Sequence, residues 1–230
     1  MYNIAFNDED CAKYGIIPVR RPSVPAPEIR IRETEIPGRD GVLVESDRTY
    51  APITIPIEFN FLGEADRWMS TYRKAKKWLS GSGWLLLGDD QEYTYHVYYC
   101  NITDTERTSR QLGKFTAEFV CYPYAFLVAG KREHTASEVQ YNPYSLSHPT
   151  YKITGEGMCT LTVNGKTMTA NVGQNLTIDT DRMIAYRQDG TLQNTAVTGD
   201  YEDLYLQEGD NTIAITTGFG LSVIPNWRCL

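Results

Sequence analysis

Long apolar runs are missing from this 230-residue chain. No stretch of about 18 consecutive apolar residues occurs, so no membrane-spanning helix is predicted. The N-terminus, MYNIAFNDEDC, has neither a basic segment nor an apolar core, and a secretory signal is not expected. An excess of positive charge is also missing. The formal net charge of −7 disfavours a dedicated nucleic-acid binder, although it does not exclude a surface that merely lets DNA pass.

Motifs for catalysis and metal binding are missing as well. The sequence has no HExxH, GxSxG, P-loop or GxGxxG pattern. Its histidines, His96, His134 and His148, have no second ligand at metal-binding spacing, which favours structural or solvated roles. The cysteines are odd in number, widely spaced and without a CxxC pair, which predicts buried free thiols. They are Cys11, Cys100, Cys121, Cys159 and Cys229. We therefore expect no cofactor and no metal.

Two carboxylate pairs could in principle support chemistry. Asp179 with Asp181, or Glu202 with Asp203, could form a glycosidase-like pair, and the first has a spacing that suits Ca²⁺. Both pairs lie at turns, where acceptor side chains have a simpler explanation. We therefore predict a protein that is not an enzyme.

The most informative stretch runs from Ile36 to Phe61. It begins with IPGRDG, in which Pro37 presets φ and Gly38 and Gly41 accept positive φ, so a chain reversal is predicted. It ends with ITIPIEFNF, whose strict alternation predicts a strand with one buried face at positions 53, 55, 57, 59 and 61. Pro56 has no amide donor, which predicts a sheet edge or an outward-facing bond at that point.

The chain before this stretch is predicted to be extended. Four prolines fall between Pro18 and Pro27 and exclude a helix. Residues Glu28–Glu35 alternate isoleucine with arginine, which predicts a strand. This arm either wraps a neighbouring subunit or forms a solvated surface connection, and the sequence favours neither alternative.

One amphipathic helix is predicted from Glu64 to Ser80. Glu64 and Asp66 would occupy its first turn, lysines would form a solvated face near its end, and Gly81 would stop it. Core packing is the simplest role for its apolar stripe. The stripe contains Ala65, Trp68, Met69, Tyr72, Ala75 and Leu79.

Strands dominate the rest of the chain, so the fold class is predicted to be mainly β. Strands at Trp84–Leu87, Tyr93–Ile102 and Lys114–Tyr122 complete an N-terminal antiparallel, β-sandwich-like domain with one packed helix. A change of composition near Ala129 divides the chain into residues 1–129 and 130–230. The second part has short strands between turns such as Asn164-Gly165, including Tyr151–Thr154 and Cys159–Val163, which predicts a β-sandwich.

In this order, the elements resemble the distal tail proteins (Dit) of siphophages. The resemblance begins with IPGRDG, VLVESDRTYAPITIPIEFNF and a helix ending in AKKWLSGSGW. It continues with NPYSLSHPTYKITG, LTVNG, LTIDT, LQEGDNTIAITTG and IPNWRCL, an order similar to that of the galectin-like C-terminal β-sandwich of the family.

This resemblance implies a structural hub. It implies that the N-terminal domain assembles as a homo-hexameric ring that joins the tail tube protein to the tail tip or baseplate. The further partners would be a tail-tip, tail-associated lysin-like protein and receptor-binding or baseplate proteins, and DNA would only pass transiently through the ring. The location would be the virion tail tip, assembled in the bacterial cytoplasm by a phage or prophage, without a membrane partner. The candidate subunit contact is Pro37, Gly38, Arg39, Asp40 and Gly41.

A different class of function stays open. Galectin-like sandwiches can bind sugars, so the chain could be a carbohydrate-binding module of a phage tail or a cell-surface protein. Such a module needs exposed aromatic side chains beside polar groups, and Tyr186, Tyr201 and Tyr205 are the candidates. A glycan-cleaving tail enzyme is the third alternative, for which the sequence has no signature.

Overall fold

The computed structural model describes residues 2–64, 66–103 and 105–230. β-Strands dominate these residues and a single α-helix lies among them, so the predicted mainly-β class is confirmed. No helix in this part of the chain combines the length and the apolar character needed to cross a membrane.

The chain forms two compact units. Residues up to Ala125, together with Leu230, form the first, and Phe126–Cys229 form the second. The sequence had placed the division at Ala129.

The first unit consists mainly of strands. Its elements are β1 Ile4–Phe6, β2 Glu9–Asp10, β3 Ile16–Pro18, β4 Ile29–Glu35, β5 Val42–Tyr50, β6 Ile53–Leu62, α1 Trp68–Trp78, β7 Gly83–Leu87, β8 Asp90–Ile102, β9 Glu106–Arg107 and β10 Leu112–Leu127. A 3₁₀ turn at Cys11–Tyr14 follows β2. The unit contains an antiparallel sheet with the strand order β2-β1-β7-β8-β10-β6-β3, with β9 beside β10.

The alternation predicted for residues 53–61 is confirmed in β6, where buried and exposed side chains alternate. β6 pairs along its whole length with β10, and Phe59 lies opposite Phe115 with their rings stacked 5.5 Å apart. Each side chain of this size contributes about 1.5–3 kcal/mol when fully buried. The sequence predicted a sheet edge or an outward-facing bond at Pro56. β6 lies between β10 and β3, and the described pairing with β3 covers residues 59–61 and does not include Pro56.

The predicted helix is shorter than its apolar pattern indicated. α1 begins at Trp68, because the chain leaves β6 in a turn closed by the Arg67 amide donating to the Glu64 carbonyl. Glu64 and Asp66 therefore precede the helix instead of lying in its first turn. The prediction that Met69 packs in the core was wrong, because its side chain is 44% exposed.

Trp78 is the residue that the pattern missed. It is buried and donates from Nε1 to the Phe6 carbonyl across 3.2 Å, which ties the end of α1 to β1. The remaining predicted core positions at Trp68, Tyr72, Ala75 and Leu79 are buried, and Ala65 lies outside the described residues.

The second unit is built on two long paired strands. The strands are β11 His134–Thr135, β12 Tyr141–Asn142, β13 Thr150–Val163, β14 Lys166–Asp179, β15 Ile184–Tyr186, β16 Val197–Thr198, β17 Gly209–Asp210, β18 Ile213–Ile215, β19 Gly220–Ile224 and β20 Arg228–Cys229. The long strands β13 and β14 are joined by the Asn164-Gly165 turn, with φ of 51° and 78°, as the sequence predicted. Their sheet has the order β11-β19-β13-β14-β15, with β16 beside β14 and β18 beside β13, and β12 pairs separately with β17. The 3₁₀ turns are Ala129–Lys131, Ala136–Val139, Asn194–Ala196 and Tyr201–Leu204.

The two strands predicted around Gly155-Glu-Gly157 are one strand. Gly155 and Gly157 have φ of 148° and 101°, which favour glycine, and the pairing of the strand with β14 continues through both. Residues 150–154 of β13 also pair with β19, and residues 161–163 pair with β18. Buried side chains from both halves, such as Ile153 and Leu161, join one core.

The prediction of free thiols is confirmed for all the cysteines. Cys11, Cys121 and Cys159 are buried, whereas Cys100 and Cys229 are only half-buried. The expectation of burial was therefore too broad.

Candidate functional site

The hairpin of β4 and β5 stands apart from the rest of the first unit. These strands form a separate two-stranded sheet, and their residues are exposed from Ile29 to Thr49. An isolated two-stranded hairpin is marginally stable in water unless one of its faces packs on something else. The hairpin therefore has the character of a contact element.

The five predicted contact residues lie together at the tip of this hairpin. The Arg39 amide donates to the Ile36 carbonyl across 3.1 Å and closes the turn. Gly38 and Gly41 have φ of 80° and 81°, which confirms the backbone conformation predicted for them. A Cβ at either glycine would meet no atom within 4 Å, so the tip is open to solvent. The role of these residues in subunit contact stays a prediction.

The base of the hairpin is anchored to the first unit. The Ala51 amide donates to the Glu28 carbonyl across 2.8 Å, and the Tyr50 ring meets that of Tyr124 edge-on at 6.0 Å. Near the base, the hydroxyl and the amide of Thr49 donate to Asp47 across 2.6 and 2.9 Å, and these hydrogen bonds hold the pKa of that carboxyl below its usual range. The base is thus ordered by local bonds while the tip extends freely.

The two faces of the hairpin differ in charge. Cross-strand partners share a face, so Ile31, Glu33 and Glu35 lie on the same side as Val42 and Val44. Among the paired residues 31–35 and 42–46, this acidic and aliphatic face carries no basic side chain, and Val44 is 53% exposed. On the other face, Arg32 lies opposite Glu45. Exposed aliphatic side chains beside charges are typical of a protein-binding surface.

Three of the four carboxylates considered for catalysis or Ca²⁺ binding contact other groups of the chain. Asp179 accepts from the Arg182 amide across 3.0 Å, and the Asp181 carboxylate bonds to Nδ1 of His148 at 2.8 Å. Asp203 lies 3.8 Å from the Lys166 ammonium, and Glu202 is exposed beside it. Within the described residues, no three His, Cys, Asp or Glu side chains are grouped to hold a metal.

A buried arginine network in the second unit escaped the sequence analysis. Arg228 is buried and donates to the Leu146 carbonyl at 2.7 Å and to Nε2 of His148 at 3.0 Å. Because Nε2 accepts, Nδ1 carries the proton that His148 donates to Asp181, and the imidazole stacks on Tyr205 at 4.2 Å. Leu146, His148 and Arg228 belong to motifs of the resemblance, whereas Asp181 and Tyr205 do not, and nothing in those motifs identified the contacts among these residues.

The aromatic residues named for sugar binding do not project as a platform. Tyr186, Tyr201 and Tyr205 are half-buried, and the Tyr205 ring is covered on one side by His148. Burial raises the pKa of Tyr201 above its usual value. These positions give the carbohydrate alternative no support.

Comparisons with known proteins identify the fold. No family model matches the sequence, and no curated protein matches it either. A solved structure is similar over the full length: the crystal structure of the SPP1 Dit (gp 19.1) protein, described as a paradigm of the hub adsorption apparatus in phages that infect Gram-positive bacteria. The TM-score is 0.62 and the sequence identity 12%, with 100% of this chain and 98% of that chain covered. At this identity the likeness is one of fold, and this chain has a Dit-like fold.

Proposed function

We propose that this chain is the structural subunit of a phage tail hub. In this proposal, six copies form a ring at the distal end of the tail tube. One side of the ring meets the tube protein and the other meets the tail-tip and receptor-binding proteins. DNA passes through the centre without being held there. The chain acts by binding and not by catalysis.

The observation that carries this proposal is the exposed β4–β5 hairpin in a chain of Dit-like fold. A closed ring needs a heterologous contact, in which one surface of a subunit meets a different surface of the next. A projecting hairpin with exposed aliphatic side chains, whose outer strand edges pair with no other strand that the structure describes, supplies one such surface. The Arg39-Asp40 tip extends it further from the subunit core.

The likeness to a hub protein over the whole chain supports the same role. Both units of this chain are covered, so the proposal includes the second unit as well as the first, ring-forming one. Assembly would take place in the bacterial cytoplasm and the finished protein would lie at the virion tail tip.

Size-exclusion chromatography with light scattering tests the proposal. We expect a species of six times the 26.1 kDa chain mass, visible as a ring by negative-stain electron microscopy. The measurement should be repeated in the presence of a purified phage tail tube protein, because a ring can assemble on its partner. A monomer under both conditions would contradict the hub. A monomer that also binds glycans on an array would favour the carbohydrate-binding alternative.

A further inference from the structure

The outward side of α1 carries positive charge that the described chain does not neutralise. Arg73, Lys74 and Lys77 are exposed and form no ion pair with any residue that the structure describes. Lys76 is also exposed, with its ammonium 5.0 Å from the Tyr72 ring. At 100° per residue, these positions occupy one continuous face of the helix. The face consists of Met69, Arg73, Lys74, Lys76 and Lys77, and we call it the basic face of α1.

The hairpin of β4 and β5 carries negative charge beside exposed apolar side chains. Glu33 and Glu35 lie two residues apart on the acidic and aliphatic face, directly opposite Val44 and Val42. Both carboxylates are exposed and form no ion pair within the described part of the chain. The same face includes Ile31, which is 49% exposed.

We propose that the acidic face of the hairpin in one copy packs against the basic face of α1 in the next copy. This inference rests on the proposed ring and specifies the surface that receives the hairpin. The spacing of the carboxylates on the hairpin matches the spacing of the cations on the helix. Residues two apart on a strand are about 7 Å apart. Residues four apart on a helix rise by about 6 Å. Glu33 and Glu35 can therefore face Arg73 and Lys77 together.

Apolar contact accompanies the charge pairing. Met69 lies on the basic face and is exposed, so it can meet the aliphatic side chains of Val42 and Val44. Methionine adapts to irregular apolar surfaces because its side chain is unbranched and flexible. Burial of these aliphatic groups would contribute affinity, and the charges would fix orientation and register.

A second copy is the occupant that the charges favour. Each chain carries both the acidic donor surface and the basic receiving surface, and both are exposed on the same chain. Neither surface is therefore satisfied by its own subunit. A contact between two different surfaces of identical subunits repeats around a ring until it closes.

Charge reversal tests the pairing. We expect Glu33→Lys/Glu35→Lys and Arg73→Glu/Lys77→Glu each to weaken ring assembly by roughly tenfold or more, since like charges would then face each other. Combining all four substitutions in one chain should restore assembly, because the complementary charges return with exchanged signs. The neutral pair Arg73→Gln/Lys77→Gln should weaken assembly less. Arg132→Glu/Arg182→Glu, which changes the charge equally at exposed positions of the second unit, is the matched control.

Circular dichroism checks that each variant is folded. Rings that persist in both reversal variants overturn this pairing and leave the hub proposal intact. Loss of rings in each variant without recovery in the combined chain also overturns it. Binding of a duplex DNA probe that the Arg73→Glu/Lys77→Glu change abolishes, with rings unaffected, would assign the basic face to nucleic acid and overturn the pairing.

A cross-linking experiment separates this inference from the hub itself. The Glu33→Cys variant is mixed with the Arg73→Cys variant under mild oxidation, and mass spectrometry identifies the linked peptides. A link between the two introduced thiols, formed between different copies, supports the pairing even if the wild-type chain is monomeric and the hexamer fails. Absence of that link in a sample that forms rings overturns the pairing alone.

Discussion

The backbone of Gly113 in β10 lies directly against the indole of Trp68 in α1. A Cβ at Gly113 would be 2.5 Å from Cζ2 of that ring and equally close to Cζ of Phe61. Because Gly113 has no side chain, the Trp68 indole in the first turn of the helix occupies the space where a Cβ would lie. This contact couples the position of α1 to the sheet.

Gly113→Ala is therefore expected to destabilise the first unit by about 1–3 kcal/mol, because overpacking forces aromatic rings out of their preferred positions. Thermal or urea unfolding followed by tryptophan fluorescence measures the loss. Lys114→Ala, at the adjacent exposed position, should change stability by less than about 0.5 kcal/mol. Equal stability of Gly113→Ala and wild type would show that the helix shifts at little cost.

Arg228→Met is expected to destabilise the second unit by about 1–3 kcal/mol. The substitution removes the donors to the Leu146 carbonyl and to Nε2 of His148, and it leaves both acceptors without this partner. Chemical denaturation measures the change in midpoint. Arg182→Met removes an exposed guanidinium and should be close to neutral. An unchanged midpoint for Arg228→Met would show that water replaces the arginine.

The thiols of Cys100 and Cys121 should react slowly in the native protein. Burial raises the pKa of each to about 12, so almost no thiolate exists at pH 8. Alkylation followed by peptide mapping should label both only after unfolding. Since the folded pKa lies above the unfolded one, the linked stability is complete below about pH 8.5 and declines as the pH rises further. Rapid native labelling of Cys121 would contradict its burial.

The features of this fold that the sequence predicted correctly are those set by residues close together in the chain. The alternation in β6 and the Asn164-Gly165 turn depend on neighbouring residues, and both were predicted correctly. The start of α1 was missed because the Arg67–Glu64 turn competes with the helix for the same residues. The His148 network was invisible because its partners Asp181 and Arg228 are 33 and 80 residues away in sequence.

The candidate site was predictable only in part. The turn chemistry of residues 36–41 identified the reversal and the five residues at its tip. Nothing in the sequence showed that, among the strands the structure describes, β4 and β5 pair only with each other, because their alternating patterns are equally typical of strands inside a larger sheet. Their exposure is a property of tertiary packing, and it is this exposure that makes the hairpin a contact element.

Substitution of the hairpin tip tests whether it contacts a neighbour. Arg39→Ala and Asp40→Ala remove exposed charges that have no partner within the described chain, so neither variant should lower the melting temperature. We expect each to raise the concentration needed for ring assembly by roughly tenfold, equivalent to about 1.4 kcal/mol. Arg182→Ala and Asp210→Ala, at exposed positions of the second unit, are the controls. Light scattering across a dilution series measures the effect. Full rings from both tip variants at wild-type concentrations would mean that Pro37–Gly41 only reverses the chain, and the subunit contact would then lie along the strands of the hairpin instead.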